Sequence, residues 1–232
     1  MIALIFVGPT DVRTGEFQPW LAGFIRSAAE IPGVEYVQQF AAREQFLVFP
    51  PPPAPHVVLI EFDGDATDSR AAAQRLAELL MTANDHLDPE KLGASLLEEF
   101  RAEMRVAGLP DDLRQRHPRD LLVFFLGPVT GRETEYHDWY DRAHIRNGLT
   151  LDGFVTGQRF HAGPAIIDTP LAPSEFAAIY EVYGSDLDTA IEAAKNSAGK
   201  HEQSSAADAA NMRAYALSSV GPVVRPGKPV AS

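Results

Sequence analysis

His144 follows Asp141 by three residues and Tyr140 by four, so the three share one side of a helical turn. An imidazole beside a carboxylate and a phenol suits general acid/base work on an enolisable or phenolic substrate. The spacing predicts His144 as the acid/base, Asp141 as its orienter and Tyr140 as a polar contact. Asn147-Gly148 reads as the helix C-terminus, whose partial negative charge would favour a protonated His144. Tyr136, Ala143 and Asn147 lie on the same stripe and, with Arg159 and Tyr180 from later strands, make up the expected substrate contacts. His161 shares a strand face with Arg159. His137, Asp141 and His144 at i, i+4 and i+7 have a spacing that could ligate a metal, but no further ligand is evident. No serine-nucleophile signature and no phosphate-cradling glycine loop is present. The expectation is chemistry without metal or cofactor. A haem held by His144 or His161 is an alternative.

The elements that must position these groups are written twice. LIFVGPT at 4–10 aligns with VFFLGPV at 123–129, about 119 positions on, and Trp20 aligns with Trp139 at the same offset. One residue of drift later, Gly33 meets Gly153, Phe40 meets Phe160, and Leu59-Ile60-Glu61-Phe62 meets Ile179-Tyr180-Glu181-Val182. In the first copy the patterns predict strands at 2–7, 34–42 and 56–63, helices at 15–29 and 68–83, and a less defined strand within 95–106. In the second they predict strands at 121–126, 154–162, 175–183 and 212–220, with helices at 132–147 and 186–197. Residues 200–210 read as a flexible loop. Asp186 and Asp188 read as helix-start acids.

The order βαββαβ, twice, is that of a ferredoxin-like module, whose sheet carries helices on one face only. The bare faces would then cover one another. The expected fold is α+β: two tandem modules packing sheet to sheet as a barrel within one chain. The expected boundaries are 1–106 for a degenerate, structural module, 107–119 for a linker, 120–224 for a site-bearing module and 225–232 for a tail.

The first helices of the two copies differ where chemistry would sit. The inward stripe of the first is Phe17, Trp20, Leu21, Phe24, Ile25 and Ala28, a closed apolar face. At a constant offset the second has Tyr136, Trp139, Tyr140, Ala143, His144 and Asn147. Burying those polar groups without partners would cost roughly 1–3 kcal/mol apiece. The expectation is therefore a cavity between helix and sheet that holds water or a ligand. Trp139 is shared with Trp20 and reads as core, and Glu181, matched by Glu61, reads as structural.

Composition narrows the function classes. The chain has 232 residues, 45% apolar and 22% charged, with net charge −12. That charge argues against nucleic acid and against anionic membranes. With no cysteine, disulfides, thiolate metal sites and Cys nucleophiles are excluded. MIALIFVGPT is apolar but short and reads as a first strand, not a signal peptide. A cytoplasmic protein, as a monomeric pseudo-dimer or a homodimer, is expected.

The stretch from Gly131 to Phe160, with Trp139-Tyr140-Asp141, His144-Ile145, Gly153-Phe154 and Arg159-Phe160, then Ala178-Ile179-Tyr180-Glu181, resembles the dimeric α/β-barrel superfamily and its EthD-like branch. That superfamily includes EthD-like proteins, muconolactone isomerases, cofactor-free antibiotic-biosynthesis monooxygenases, olivetolic acid cyclase and haem-binding branches. The resemblance implies ferredoxin-like modules paired into a barrel, with ligand pockets between each sheet and its own helices. Residues 120–222 carry it. The first copy lacks the histidine and aspartate of the motif, so one working pocket per chain is expected. The expected activity is that of a cofactor-independent isomerase, cyclase, lyase or monooxygenase acting on a small hydrophobic or aromatic molecule. A non-catalytic binding protein or sensor for a hydrophobic metabolite is the competing class.

Overall fold

Strand β1 (Ile2–Val7, IALIFV) is buried along its whole length, because both of its faces are covered. Ala3, Ile5 and Val7 pack under helices, while Ile2, Leu4 and Phe6 point into a second core. The computed structural model describes residues 1–11, 14–44, 46–63, 66–82, 85–110, 119–163, 174–183, 187–197 and 199–227. After β1 come α1 (Thr14–Ala29), β2 (Val34–Ala42), β3 (His56–Phe62), α2 (Ala66–Met81), β4 (Gly93–Glu99) and the two-residue β5 (Met104–Arg105). The second half has β6 (Asp120–Phe125), α3 (Glu133–Trp139, a π turn at Tyr140–His144, then Ile145–Gly148), β7 (Phe154–Ala162), β8 (Phe176–Val182), α4 (Leu187–Ser197) and β9 (Arg213–Ser219). Short 3₁₀ turns at Pro89–Lys91 and Ala209–Asn211 precede β4 and β9.

The sheet is a closed antiparallel barrel of eight strands, in the order β4-β1-β3-β2-β9-β6-β8-β7, with β7 returning to β4. Closure removes the exposed strand edges that invite aggregation. The short β5 continues beyond β4 along β7, so one fourth strand is split in two where the sequence had predicted a single stretch. The barrel interior is apolar over most of its length, with Phe6, Phe40, Leu59, Phe125 and Leu217 among its fully buried side chains. The helices lie outside it, α1 and α2 on the first half, α3 and α4 on the second.

The two halves repeat strand for strand. Ile2 pairs with Glu61 and Leu97, and Leu121 pairs with Glu181 and Leu217. Both middle pairs carry a bulge at one place, Val34/Tyr36 in β2 and Phe154/Thr156 in β7. The seams match as well: Ala42 faces Leu217 across one, Ala162 faces Leu97 across the other.

One end of the interior is polar. Arg119, 2% exposed, places Nε 2.7 Å from Glu181 Oε1 and Nη2 3.8 Å from Glu61 Oε2. Its Nη2 also donates to the Tyr36 hydroxyl, which donates to Glu61. The two carboxylates hold this guanidinium protonated despite its burial. The cavity beside them measures about 20 Å³, room for one water. This pocket therefore takes no substrate.

Helix and strand boundaries fall within two residues of the sequence expectation, apart from the split fourth strand. Most of the linker (111–118), the tail beyond residue 227, Asp186 and the last residue of the helix expected at 68–83 lie outside the described residues. The segment 200–210, expected to be a loose loop, is tied down: Trp139 Nε1 donates to Glu202 O at 3.0 Å, and Ala207 forms a bridge with Pro128.

Candidate functional site

The site lies where α3 crosses the outer face of the second half of the sheet. Alternation along β7 turns Arg159 and His161 toward the helix. Arg159 is 1% exposed and set among aromatic rings. Its guanidinium carbon lies 4.3 Å from the Tyr140 ring centroid, 5.1 Å from Phe100 and 5.4 Å from Tyr136. Its Nη1 donates to Asp141 Oδ1 at 2.5 Å, and its Nη2 to His137 Nδ1 at 2.9 Å. A guanidinium cannot accept a hydrogen bond, so Nδ1 of His137 is unprotonated and the neutral ring carries its proton on Nε2.

Asp141 is shared. Its second oxygen, Oδ2, accepts from Arg101 Nε at 2.9 Å. The two guanidiniums hold its carboxyl below the ordinary range, against the effect of burial. Asp141 therefore pairs with Arg159 and Arg101, and the expected role of orienting His144 is corrected. Its side chain turns to the strand because the buried guanidinium there needs a counter-charge.

His144 packs against Trp139 (centroids 4.5 Å, tilted) and edge-on to Tyr140 (4.7 Å). Burial, reinforced by the Arg159 charge, lowers its pKa to about 4. The expectation that the helix C-terminus would protonate it is overturned: desolvation outweighs the dipole. His137 is less buried, and burial together with Arg159 lowers its pKa as well.

The hydroxyls that made a cavity seem necessary find partners. Tyr136 donates to Leu126 O at 2.5 Å. Tyr140 and Tyr180, both fully buried, hydrogen-bond to each other. Burial raises all three above the ordinary phenol range, so they act as neutral donors. Ala143 is half-buried against the same core. Asn147 is half-buried, and its carbonyl accepts from the backbone N–H and the hydroxyl of Thr150.

The π turn at Tyr140–His144 explains the drift in the repeat. A π turn takes one residue more than an α turn. The offset is 119 from Ile2 to Leu121 and 120 from Val34 to Phe154, and the extra residue enters within α3. Beyond the π turn the equivalences made at constant offset shift by one. Phe24 corresponds to His144, buried Ile25 to buried Ile145, and Ala28 to Gly148. The sequence comparison had set Ala143, His144 and Asn147 against those three.

Three residues complete the site without having been singled out. Phe100 and Arg101 come from the first half, where the chain leaves β4; both backbone N–H groups donate to Arg159 O, at 3.0 and 3.2 Å. Phe176 at the start of β8 meets the rings of His137 (4.7 Å), Phe100 (5.1 Å) and His161 (5.4 Å). The place of His137 beside Phe100 depends on a segment some forty residues away, which no local pattern reveals.

His137, Asp141 and His144 do not converge on a metal. Both Asp141 oxygens are held by arginines, His137 Nδ1 faces Arg159, and His144 lies on Trp139. Among the described residues no cluster of three or more His, Asp or Glu could hold a metal ion. A separate surface groove of about 690 Å³ runs between α3 and residues 202–205. Among its charged groups Arg132 pairs with Glu135 and Arg142 with Glu202. Among the described residues no helix is long and apolar enough to cross a membrane.

No family model and no curated protein matches the chain. Solved structures do. An anthrone oxidase-like protein superposes with TM-score 0.60 at 15% identity, over 100% of this chain and 94% of that one. A candidate monooxygenase from Fusobacterium nucleatum gives 0.51 at 8% identity, over 98% of this chain and 94% of that one. A variant of chlorite dismutase from Candidatus Nitrospira defluvii gives 0.51 at 13% identity, over 94% and 90%. At such identities the likeness is one of fold. The closed ring of eight antiparallel strands with helices outside it, matched over nearly the whole length of these proteins, gives the chain the dimeric α/β-barrel fold.

Proposed function

We propose that this protein is a cofactor-independent enzyme acting on a small, largely apolar molecule that carries an enolisable or phenolic oxygen. The observation that supports this most is the buried Arg159, set in aromatic rings and backed by a neutral imidazole. Fixed donors in a poorly solvated site stabilise negative charge that develops on a substrate oxygen. Nε2–H of His137 and the Arg159 guanidinium are such donors. The reaction classes served are those that pass through an enolate or phenolate: isomerisation, cyclisation, elimination or oxygenation of that anion. Structural neighbours with names in oxidase and monooxygenase chemistry support an enzyme of this barrel type.

In this reading His137 takes the imidazole role that the sequence pattern gave to His144. A conjugate acid near pKa 4 makes His144 a weak base at neutral pH. We also read the two halves as tandem copies of a ferredoxin-like module, supported by their coincident registers, and only the second as bearing a site. The barrel closes within one chain, which supports a monomer.

A panel of phenols, hydroxyquinones and 1,3-diketones, screened by thermal shift and then for turnover, tests the reading. A turned-over ligand should lose activity at least 100-fold in Arg159→Met and His137→Ala, with folding retained. Full activity in both variants would remove the site. A second reading, binding without turnover, is favoured by one observation: burial and the Arg159 charge lower the imidazole of His144, the residue expected as acid/base, to about 4. Tight binding with no product from any ligand would decide for it.

A further inference from the structure

Each half of the chain has a groove beside the tryptophan of its first helix, and the two grooves differ in chemistry. In the first half the groove lies between α1 and the end of α2, has a volume of about 360 Å³, and is walled by Trp20, Phe24 and His86. The three rings form a ladder. Trp20 lies 5.5 Å from Phe24 and 6.2 Å from His86, with 20° between the planes of each pair. Phe24 is buried and Trp20 half-buried.

The repeat supplies a control. Trp139, the equivalent of Trp20, is 5% exposed. At the same offset Arg142 stands where the first half has Gly23. Thr82 precedes His86 by four residues, and His86 O accepts from Thr10 N; Glu202 precedes Ala206 by four, and Ala206 O accepts from Val129 N. Glu202 therefore stands for Thr82, and Ala206 for His86. Arg142 and Glu202 pair at 2.8 Å beside Trp139, whose Nε1 donates to Glu202 O. An ion pair thus bridges the second groove. In the first, a Cβ added to Gly23 would meet nothing within 4 Å, and Thr82 turns its hydroxyl back to Leu79 O at 2.7 Å. Among the described residues the lining of the first groove includes no Lys, Arg, Asp or Glu.

We propose that this first-half groove is a second binding site, for an uncharged, flat heteroaromatic molecule of about two fused rings. Rings that are nearly parallel let a flat ligand lie at their common tilt, an arrangement that aromatic pairs favour. A charged ligand would find no counter-charge in the lining. The exposed Ser27 hydroxyl at the groove can donate to a ring nitrogen. The volume lies at the small end of ligand pockets, too small for a helix, which is about 10 Å across. With no acid/base pair in its lining the groove binds without reacting, so the reacting site stays with the second half. The inference does not depend on the site under α3.

The test uses the full-length protein labelled with nitrogen-15, whose two tryptophans give two indole N–H signals. Trp20→Phe assigns them. The probe is quinoline, which is flat, uncharged at neutral pH and without a phenolic oxygen. Quinoline should shift the Trp20 signal saturably and leave that of Trp139 in place. Cyclohexylmethanol, which is not flat, should shift neither at equal concentration. Gly23→Arg with Thr82→Glu installs the ion pair of the second half and should weaken quinoline about tenfold. An unmoved Trp139 signal and an unchanged unfolding midpoint check that this variant folds, and Gly23→Arg alone is the milder way to fill the groove. No shift at Trp20, an equal response to cyclohexylmethanol, or full quinoline binding in both variants overturns the site. A Trp20 signal that moves with protein concentration in the absence of probe gives the groove to a second copy of the chain and overturns the site as well.

Discussion

A methyl group placed on Gly148 would lie 2.8 Å from Cε1 of Tyr180, and one on Gly157 would lie 3.1 Å from the same ring. Gly157 and Tyr180 face each other across β7 and β8; at the corresponding register of the first half Val37 faces Ile60. A small–large pair has replaced two medium residues, so the Tyr180 ring fits because two side chains are absent beside it.

That relationship predicts coupling. Gly157→Val alone should destabilise by about 1–3 kcal/mol through overpacking. In a Tyr180→Ile background, which restores the pairing of the first half, the same change should cost little. A double-mutant cycle in urea should give a coupling energy above about 1 kcal/mol. Additive effects would mean that the two positions pack independently.

Acid stability should report on His144. Its folded pKa of about 4 lies below its ordinary 6.5, so the unfolded chain takes up the proton first as pH falls. Stability present above pH 6.5 is then lost down to about pH 4, by roughly 3 kcal/mol. His137 and His56, lowered by burial too, add to the upper part of that slope. His144→Phe, which installs the residue found at Phe24, should flatten the slope in this window. An unchanged pH profile of unfolding free energy would show that His144 is accessible to protons in the folded state.

Removing one partner of the buried ion pair should cost more than removing both. Asp141→Asn strands the Arg159 guanidinium with Arg101 close by, and should lower stability by about 3 kcal/mol. The double change Arg159→Met with Asp141→Leu should recover most of that loss. Denaturant midpoints for the three proteins check the order, and a mild single substitution would indicate that water reaches Arg159.

The π turn should tolerate a deletion that an α-helix would not. Removing Ala143 restores the spacing of the first half, so the deletion variant should still unfold cooperatively. Removing Ala22 from α1 shifts every later residue off its buried stripe and should abolish cooperative unfolding. Thermal melts followed by circular dichroism distinguish the two outcomes.

The duplicated pattern made the architecture legible. Alternating apolar residues and repeated Gly-Pro, Trp and Glu positions located nearly every strand and helix to within two residues, because such periodicities are local. Half of the site was legible too: Tyr136, Tyr140, Asp141, Arg159 and Tyr180 do meet under α3. The partner of Asp141 was not, since a helix neighbour three residues away looks the same in sequence whether or not a buried guanidinium competes for it.

By itself the sequence determined the strands, the repeat, the class of core and the cluster of polar residues on one helix, all of which follow from spacing along the chain. Tertiary structure decided which charges pair, which imidazole accepts from the buried guanidinium, and that Phe100 and Arg101 of the first half bond to Arg159 in the second. Those outcomes depend on desolvation and on contacts between distant segments, and neither quantity exists until the barrel has closed.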